Sequence, residues 1–284
     1  MKVLVTGYTG QLGYDVVREG KKRGISMLGL GREDLDITNE AEVNQYVQKI
    51  NPDVIIHCAA YTAVDKAEDD KETCWNVNVL GTKFIAKAAK KINSKLIYIS
   101  TDYVFDGKGK EPFKEYDKPN PVGYYGLTKY EGEKIVKDLI DEYFIVRISW
   151  VFGINGNNFI KTMLRLSDTR NELNVVGDQY GSPTYTNDLA RLLIDMIHTE
   201  KYGVYHASNE GFCTWAEFAT EIFKQANKDV KVNSISTEEY PTRAVRPKNS
   251  RMSKQKLIDN GFEPLPMWQE ALEHYLNELA QEVK

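Results

Sequence analysis

After Met1 the chain begins with Lys2-Val-Leu-Val-Thr-Gly-Tyr-Thr-Gly-Gln-Leu-Gly13, and this segment decides the fold class. Its first residues form a short apolar run that is typical of a buried strand. Gly7, Gly10 and Gly13 follow as a G-x-x-G-x-x-G series where a helix is expected to begin. Glycines at such a turn let backbone N–H groups approach a pyrophosphate. The segment therefore predicts a dinucleotide site, and a tight strand–helix turn without ligand is the alternative.

The same alternation of short apolar runs and longer amphipathic stretches continues to about residue 150. It predicts strands over residues 2–6, 26–30, 54–57, 96–100 and 144–148, and helices over 12–23, 40–49, 73–92 and 124–141. Strands that alternate with helices in this way are typical of a doubly wound parallel sheet. We therefore predict an α/β protein of the Rossmann type.

The second half of the chain has a looser pattern, with loops rich in Gly and Asn and a cluster of Pro and Arg from Pro241 to Pro247. A helix over 186–198 and a strand over 203–207 are expected to extend the sheet, and a final helix begins at about Met267. We predict an NAD(P)-binding domain made of residues 1–151 and 186–207. Residues 152–185 and 208–284 are expected to form a smaller C-terminal substrate-binding lobe.

Composition excludes several classes of function. The 37 basic and 41 acidic residues give a formal net charge of -4, which argues against a general attraction to nucleic acid or to an anionic membrane. The first apolar run is too short for a signal peptide, and no run approaches the roughly 18 residues of a membrane span. Cys58, Cys74 and Cys213 are odd in number and widely spaced, which favours reduced thiols and a cytoplasmic protein.

The end of the second predicted strand bears on the choice of cofactor. A chain specific for NAD places an acid here to bind the ribose 2′-hydroxyl, whereas this chain has Arg32, whose guanidinium suits a 2′-phosphate. Glu33 and Asp34 follow directly and favour the opposite choice, and a solvated Arg32 is the third reading. The sequence therefore predicts NADPH or NADH without deciding between them. Further residues expected to line the cofactor site are Asp36, Ile37, Ala59, Ala60 and Tyr61.

Tyr125 and Lys129 carry the predicted chemistry. Their spacing of four places them one turn apart on the same face of a helix. Reduction of a ketone by hydride leaves an alkoxide that needs a proton, and a neighbouring ammonium is expected to lower the pKa of the phenol that supplies it. Thr101, at the carboxyl end of the fourth strand, is placed to bind the same carbonyl oxygen. For the pair alone, a surface tyrosine packed on a lysine stem is the alternative.

With these residues the chain resembles the extended short-chain dehydrogenases/reductases, and within them the dTDP-4-dehydrorhamnose reductase family. The resemblance covers nearly the whole length. Its most specific segments are Thr6–Gly13, Ala59–Glu68, Ser100–Phe105, Tyr125–Lys129, Arg147–Phe152, Asn157–Leu166, Asp178–Thr184 and Arg246–Arg251. It implies reduction of a dTDP-linked 4-keto-6-deoxy sugar to dTDP-L-rhamnose by NAD(P)H.

The resemblance also implies roles for individual residues. Tyr125 is the acid, Lys129 its partner and Thr101 the carbonyl ligand, while Asp102 and Trp150 lie against the substrate. The cofactor phosphates contact Gly10, Gln11 and Leu12, and the rest of the cofactor site is formed by Asp36, Ile37, Ala60, Tyr61 and Thr62. Arg243, Arg246, Lys248 and Arg251 either balance the diphosphate or are solvated. No catalytic metal is predicted, and a homodimer is left open.

Two other functions fit part of the same pattern. A nucleotide-sugar epimerase or 4,6-dehydratase keeps the glycine turn, Tyr125 and Lys129, but a dehydratase places Glu after the Asp, where this chain has Asp102 and Tyr103. The second alternative is a non-catalytic dinucleotide-binding subunit like the β subunit of methionine adenosyltransferase. The presence of Thr101, Tyr125, Lys129 and Trp150 together favours an enzyme.

Overall fold

A computed structural model describes residues 1–282 and shows a six-stranded parallel sheet of order β2-β1-β3-β4-β5-β10. The strands, numbered in chain order, are β1 (Lys2–Thr6), β2 (Ser26–Leu30), β3 (Val54–His57), β4 (Lys95–Thr101), β5 (Tyr143–Ile148), β6 (Val151–Phe152), β7 (Glu172–Val176), β8 (Tyr180–Gly181), β9 (Thr184–Tyr185), β10 (Gly203–His206), β11 (Cys213–Thr214) and β12 (Lys231–Ile235).

The order of the strands creates a crevice at one edge of the sheet. From β1 the chain passes to β2 on one side, and β3 then pairs with β1 on the other, so that Thr6 lies opposite Leu30 and His57. At such a reversal of direction the loops that follow neighbouring strands diverge, and ligands bind between them. The carboxyl ends of β1 and β3 are therefore the expected mouth of the site.

Helices cover both faces of this sheet. In chain order they are α1 (Gln11–Lys22), α2 (Glu40–Ile50), α3 (Lys71–Trp75), α4 (Thr82–Lys91), α5 (Tyr124–Leu139), α6 (Phe159–Ser167), α7 (Thr186–Ile197), α8 (Trp215–Gln225), α9 (Gln255–Asp259) and α10 (Trp268–Glu282). α1 and α7 pack on one face, and α2, α4 and α5 pack on the other. Among the helices of residues 1–282, none has the length and apolarity required to cross a membrane.

The predicted fold class is confirmed, and the predicted strands are found with ends shifted by at most one residue. The central strands are buried on both faces, as in β3, where all four residues are buried. The helix predicted over 73–92 is found as one helical stretch from Lys71 to Lys91, but its middle turn is π-helical. A π-helical turn, Asn76–Gly81, separates α3 from α4, and the Asn78 side chain at its centre bonds to the backbone of Tyr61.

A second hydrophobic core lies apart from the sheet. It is formed by α6, α8, α10 and the parallel pair β7–β12, with Ile160, Phe218 and Leu272 fully buried in it. Thr214 caps α8 in a capping box with Glu217, which fixes where this helix begins. The loops that enter and leave this core run past the carboxyl edge of the sheet, because β6 begins directly after β5.

Candidate active site

A cavity of about 700 Å³ lies at the carboxyl ends of β1 to β5. The structure places along it every residue that the sequence assigned to cofactor, substrate or catalysis: Gly7, Gly10, Gln11, Leu12, Gly13, Arg32, Asp36, Ile37, Ala59, Ala60, Tyr61, Thr62, Thr101, Asp102, Tyr125, Lys129 and Trp150. These residues come from five separate strand ends and from the helices α1 and α5. One continuous space is therefore shared by the glycine turn and the Tyr–Lys pair.

The glycine turn is built for close approach of backbone. Gly7 has φ +71°, and a Cβ on it would lie 2.6 Å from the backbone nitrogen of Ala59. A Cβ on Gly13 would overlap the carbonyl group of Gly7. α1 begins at this turn without a side-chain cap and without an acid in its first turn, which leaves its N–H groups and its dipole to an anion. The turn fits the pyrophosphate of a dinucleotide.

The Gln11 side chain points away from this anion position. Its Oε1 accepts hydrogen bonds from the backbone N–H of Gly153, at 2.9 Å, and from Nδ2 of Asn158, at 3.2 Å. Asn158 caps α6, so Gln11 connects the glycine turn to the second core. Because the Gln11 side chain is engaged elsewhere, its backbone N–H is the group that would contact a phosphate.

The charged residues that follow β2 do not all line the cavity. Arg32 lines the cavity and Glu33 does not. The Asp34 carboxylate accepts a hydrogen bond of 2.8 Å from the N–H of Gly31, so that it closes the turn of its own loop. Of the three charged side chains that left the choice of cofactor open, the cation is the one on the cavity wall.

Tyr125, Lys129 and Thr101 meet on one wall. Tyr125 lies in the first turn of α5, partly exposed to the cavity, and Thr101 lies beside it at the end of β4, where its side chain lowers the pKa of the phenol. Gly126 allows this close approach, because a Cβ there would overlap the carbonyl oxygen of Tyr103. The ring of Tyr103 packs edge-on against Tyr125 with centroids 5.7 Å apart. The Tyr125 phenol therefore lies between Thr101, which ends β4, and Tyr103, which follows it.

Burial dominates the electrostatics of this wall. It lowers the pKa of Lys129 to about 7, although the charge of Glu133 opposes that change. It also raises the pKa of Tyr125 well above its usual value, and the charge of Asp102 adds to the effect. The sequence leads us to expect that Lys129 lowers the pKa of the Tyr125 phenol, whereas in this structure desolvation of the phenolate is the largest influence and the net change is upward.

Asp102 is a buried carboxyl group beside the reacting wall. Its side chain accepts a hydrogen bond of 3.0 Å from Thr101 on Oδ1, while Oδ2 is buried without a partner in residues 1–282. Burial raises its pKa to about 6. A buried acceptor that lacks a donor costs free energy, and a hydroxyl group entering the cavity would satisfy it.

Trp150 holds an uncommon backbone conformation at the end of β5, with φ +48°. Its indole stacks on Trp215 with a centroid distance of 3.6 Å. Gly181 leaves the space for that ring, because a Cβ there would lie 2.7 Å from the indole. A bulky residue in the left-handed region is held only when its surroundings enforce it. The stack therefore fixes an aromatic face in the cavity wall.

Some residues of this site were missed from the sequence. Asn78 donates to the carbonyl of Tyr61 and accepts from its N–H at 2.8 Å, which fixes the loop after β3. It also donates to Thr128 Oγ1, which in turn donates to the carbonyl of Tyr125. The only signal in the sequence was a polar residue at a helical position that should be apolar. Leu35, Thr38 and Val64 also line the cavity.

The four basic residues near the C-terminal loop do not line this cavity. In the described residues each contacts an oxygen of this chain: Arg243 with Asp69, Arg246 with Asp65, Lys248 with Asp178 and Glu238, and Arg251 with Asn249. Arg246 also donates to the Tyr103 hydroxyl, at 3.0 Å. Arg243 and Arg246 thus hold the loop against residues 65–69, and the structure supplies no geometry for the diphosphate contact considered from the sequence.

Comparison with known proteins identifies relatives that share this architecture. Residues 1–281 match the family model described as the RmlD substrate binding domain. A dTDP-4-dehydrorhamnose reductase of Aggregatibacter actinomycetemcomitans is 42% identical over 287 residues, covering 96% of this chain and 97% of the relative.

Two solved structures extend the match to three dimensions. A dTDP-4-dehydrorhamnose reductase of Clostridium acetobutylicum is 44% identical with a TM-score of 0.96, covering 99% of this chain and 100% of that one. The enzyme of Bacillus anthracis, in complex with NADP, is 47% identical with a TM-score of 0.95, covering 98% and 100%. The chain belongs to the dTDP-4-dehydrorhamnose reductase family.

Proposed function

We propose that this protein is a dTDP-4-dehydrorhamnose reductase, which transfers a hydride from NAD(P)H to C4 of dTDP-4-dehydro-6-deoxy-L-mannose and forms dTDP-L-rhamnose. The observation that carries the proposal is the shared cavity, in which the glycine turn and the Tyr125–Lys129–Thr101 wall adjoin. Relatives that are 38–47% identical over nearly the whole chain bear the name of this enzyme, and one of them was solved with NADP.

The cofactor would be held by groups already described. Backbone N–H groups at the start of α1 would bind the pyrophosphate, and Arg32 is placed for a 2′-phosphate, which favours NADPH over NADH. Lys129 would bind the nicotinamide ribose. When bound, the reduced nicotinamide supplies the hydride that reduces the carbonyl carbon.

Tyr125 would complete the reduction by giving its phenolic proton to the oxygen at C4. Its raised pKa keeps the phenol protonated at neutral pH, so the donor is present before the alkoxide forms. Thr101 would orient the carbonyl oxygen toward this phenol. The alkoxide of a simple secondary alcohol is far more basic than a phenolate, so the transfer runs toward the alcohol even from a phenol whose pKa is raised.

The sugar nucleotide would occupy the part of the cavity on the side of the second core. We propose the division of the chain that the sequence suggests, with residues 152–185 and 208–284 forming the substrate lobe. The Trp150 indole, which lines the cavity, suits the apolar side of a deoxy sugar, and the unpartnered oxygen of Asp102 suits a sugar hydroxyl. The three free cysteines are consistent with action in the cytoplasm.

A substrate panel tests the proposal. Purified protein is supplied with NADPH and with 4-keto-6-deoxy sugars carried on dTDP, dUDP or GDP, and oxidation of NADPH is followed at 340 nm. We expect turnover with the dTDP sugar and formation of dTDP-rhamnose detectable by chromatography. Oxidation with none of the three keto sugars, while NADPH still binds, would contradict the proposed reaction.

A further inference from the structure

Helix α5 carries a third functional side chain on the face that bears Tyr125 and Lys129. Glu133 follows at the same spacing of four, so it lies one turn beyond Lys129. We propose that Glu133 is a positioning residue: its buried carboxylate, fixed by Arg147 and Ser100, keeps the Lys129 ammonium charged for binding of the cofactor. This inference rests on the proposed function only in taking Lys129 as a group that binds the cofactor.

Glu133 is buried and held by two other side chains. Its side chain has no exposed surface, and Arg147 is 1% exposed. Arg147 donates from Nε to Oε1 and from Nη2 to Oε2, both at 2.8 Å, which is the bidentate geometry that guanidinium and carboxylate favour. Ser100 donates to Oε1 at 2.6 Å. The carboxylate therefore has one orientation, set by two strands.

Lys129 is equally confined. It is 3% exposed, and its Nζ lies 4.2 Å from the centroid of the Tyr98 ring. Tyr98 donates its hydroxyl proton to the Lys129 carbonyl, at 3.2 Å, and Gly132 allows α5 to sit this close to β4, because a Cβ there would overlap the Tyr98 hydroxyl. The lysine stem is thus fixed between α5 and β4, with the ammonium directed along the wall that Thr101 ends.

A buried ammonium in this place needs a counter-charge. Burial lowers the pKa of Lys129, and the charge of Glu133 is the largest influence that raises it, ahead of Cys58 and Cys74. Arg147 holds both oxygens of this carboxylate, so Glu133 acts on Lys129 through space across one helical turn and not through a direct ion pair. The other titratable or charged groups that act on this cluster are His57, Tyr98, Lys137 and Tyr143, with Glu115, His206 and Lys256 around Arg147.

The consequence for the cofactor follows from the charge of Lys129. The ammonium form donates hydrogen bonds to ribose oxygens and attracts the cofactor phosphates, whereas the neutral amine does so poorly. Affinity should therefore fall as the pH rises through the pKa of Lys129. Without Glu133 only the smaller influences of Cys58 and Cys74 oppose the burial of the ammonium, so that fall should occur at lower pH.

The test measures NADP⁺ affinity by calorimetry between pH 5.5 and 9.5 for the wild type, Glu133→Gln and Glu131→Gln. Glu131 lies on the same helix, pairs with Lys134 and is not among the groups that act on Lys129, so it is the matched control. We expect Glu133→Gln to move the midpoint of the affinity loss down by about 1–2 pH units, the size of a charge effect across one helical turn. Glu131→Gln should leave the midpoint in place, and titration of the 2′-phosphate is common to all three proteins.

The double variant Glu133→Gln/Arg147→Met serves as the test protein if Glu133→Gln does not fold. It removes the whole buried pair and leaves no unpaired arginine. It should keep its thermal transition and still show the downward shift. A midpoint unchanged in every folded variant that lacks the Glu133 carboxylate would overturn the inference. Because this readout uses no sugar, it succeeds or fails independently of the substrate panel that tests the proposed function.

Discussion

Replacing Arg32 with serine should remove the preference for NADPH that the structure suggests. Arg32 lies at the end of β2 on the wall of the cavity, while Asp34 is bonded to the N–H of Gly31 and Glu33 points elsewhere. A 2′-phosphate beside Arg32 would therefore meet this cation and neither Glu33 nor Asp34. Serine keeps a short polar side chain that can bond to a 2′-hydroxyl, so NADH should be little affected.

The size of the effect follows from the exposure of Arg32. A guanidinium–phosphate contact is charge-assisted and bidentate, but this side chain is solvent-exposed, which weakens the contact through screening. About 1–2 kcal/mol is a reasonable contribution, which corresponds to roughly a 5- to 30-fold loss in kcat/KM for NADPH. The change for NADH should stay within about twofold, by the same reasoning.

The assay compares kcat/KM for NADPH and NADH at a fixed ionic strength in the wild type, Arg32→Ser and Glu33→Gln. Glu33→Gln is the control, because this neighbour does not line the cavity. Repeating the NADPH series at higher salt should shrink the difference between the wild type and Arg32→Ser. Equal losses with both cofactors, or a larger change for Glu33→Gln than for Arg32→Ser, would refute the assignment.

Two further variants probe the substrate side. Asp102→Asn should raise the free energy of unfolding at pH 7 by about 1–3 kcal/mol, because burial raises the folded-state pKa of Asp102 to about 6, above that of an unfolded chain. The cost of burying the Asp102 carboxylate is present above pH 6 and disappears below about pH 4. Urea unfolding should therefore show that Asp102→Asn adds no stability at pH 4. An equal gain in the free energy of unfolding at pH 4 and pH 7 would contradict the reasoning. Gly181→Ala should raise KM for the sugar about tenfold or more, because the added Cβ displaces the Trp150 indole. The affinity for NADPH should not change. An unchanged sugar KM would exclude the indole as a substrate contact.

The parallel sheet was predictable because its strands are short, apolar on both faces and separated by amphipathic stretches. The hydrophobic repeat alone fixes this alternation, as in β3 and β4. The π-helical turn inside the helix over 73–92 was not predictable. It depends on Asn78, whose hydrogen bonds reach Tyr61 and Thr128, partners that are distant in the sequence.

The lining of the cavity was predictable to the extent that it follows strand ends. Thr101 and Trp150 end neighbouring strands, and in a parallel sheet such residues meet at one edge. Charges were harder to assign. The directions in which the pKa values of Lys129 and Tyr125 move depend on the burial of these two polar side chains, which the sequence does not show. The partners of Glu133 become visible only when α5 is placed against β5.

The central claim is that Tyr125 delivers the proton to the reduced sugar, and the most direct test is Tyr125→Phe assayed with NADPH and the dTDP-linked keto sugar. The phenyl ring keeps the packing against Tyr103 and removes only the hydroxyl group. We predict a fall in kcat of about 10²–10⁴, the usual contribution of a general acid, with NADPH affinity within about threefold of the wild type. Turnover near the wild-type rate, with normal NADPH binding, would contradict the account.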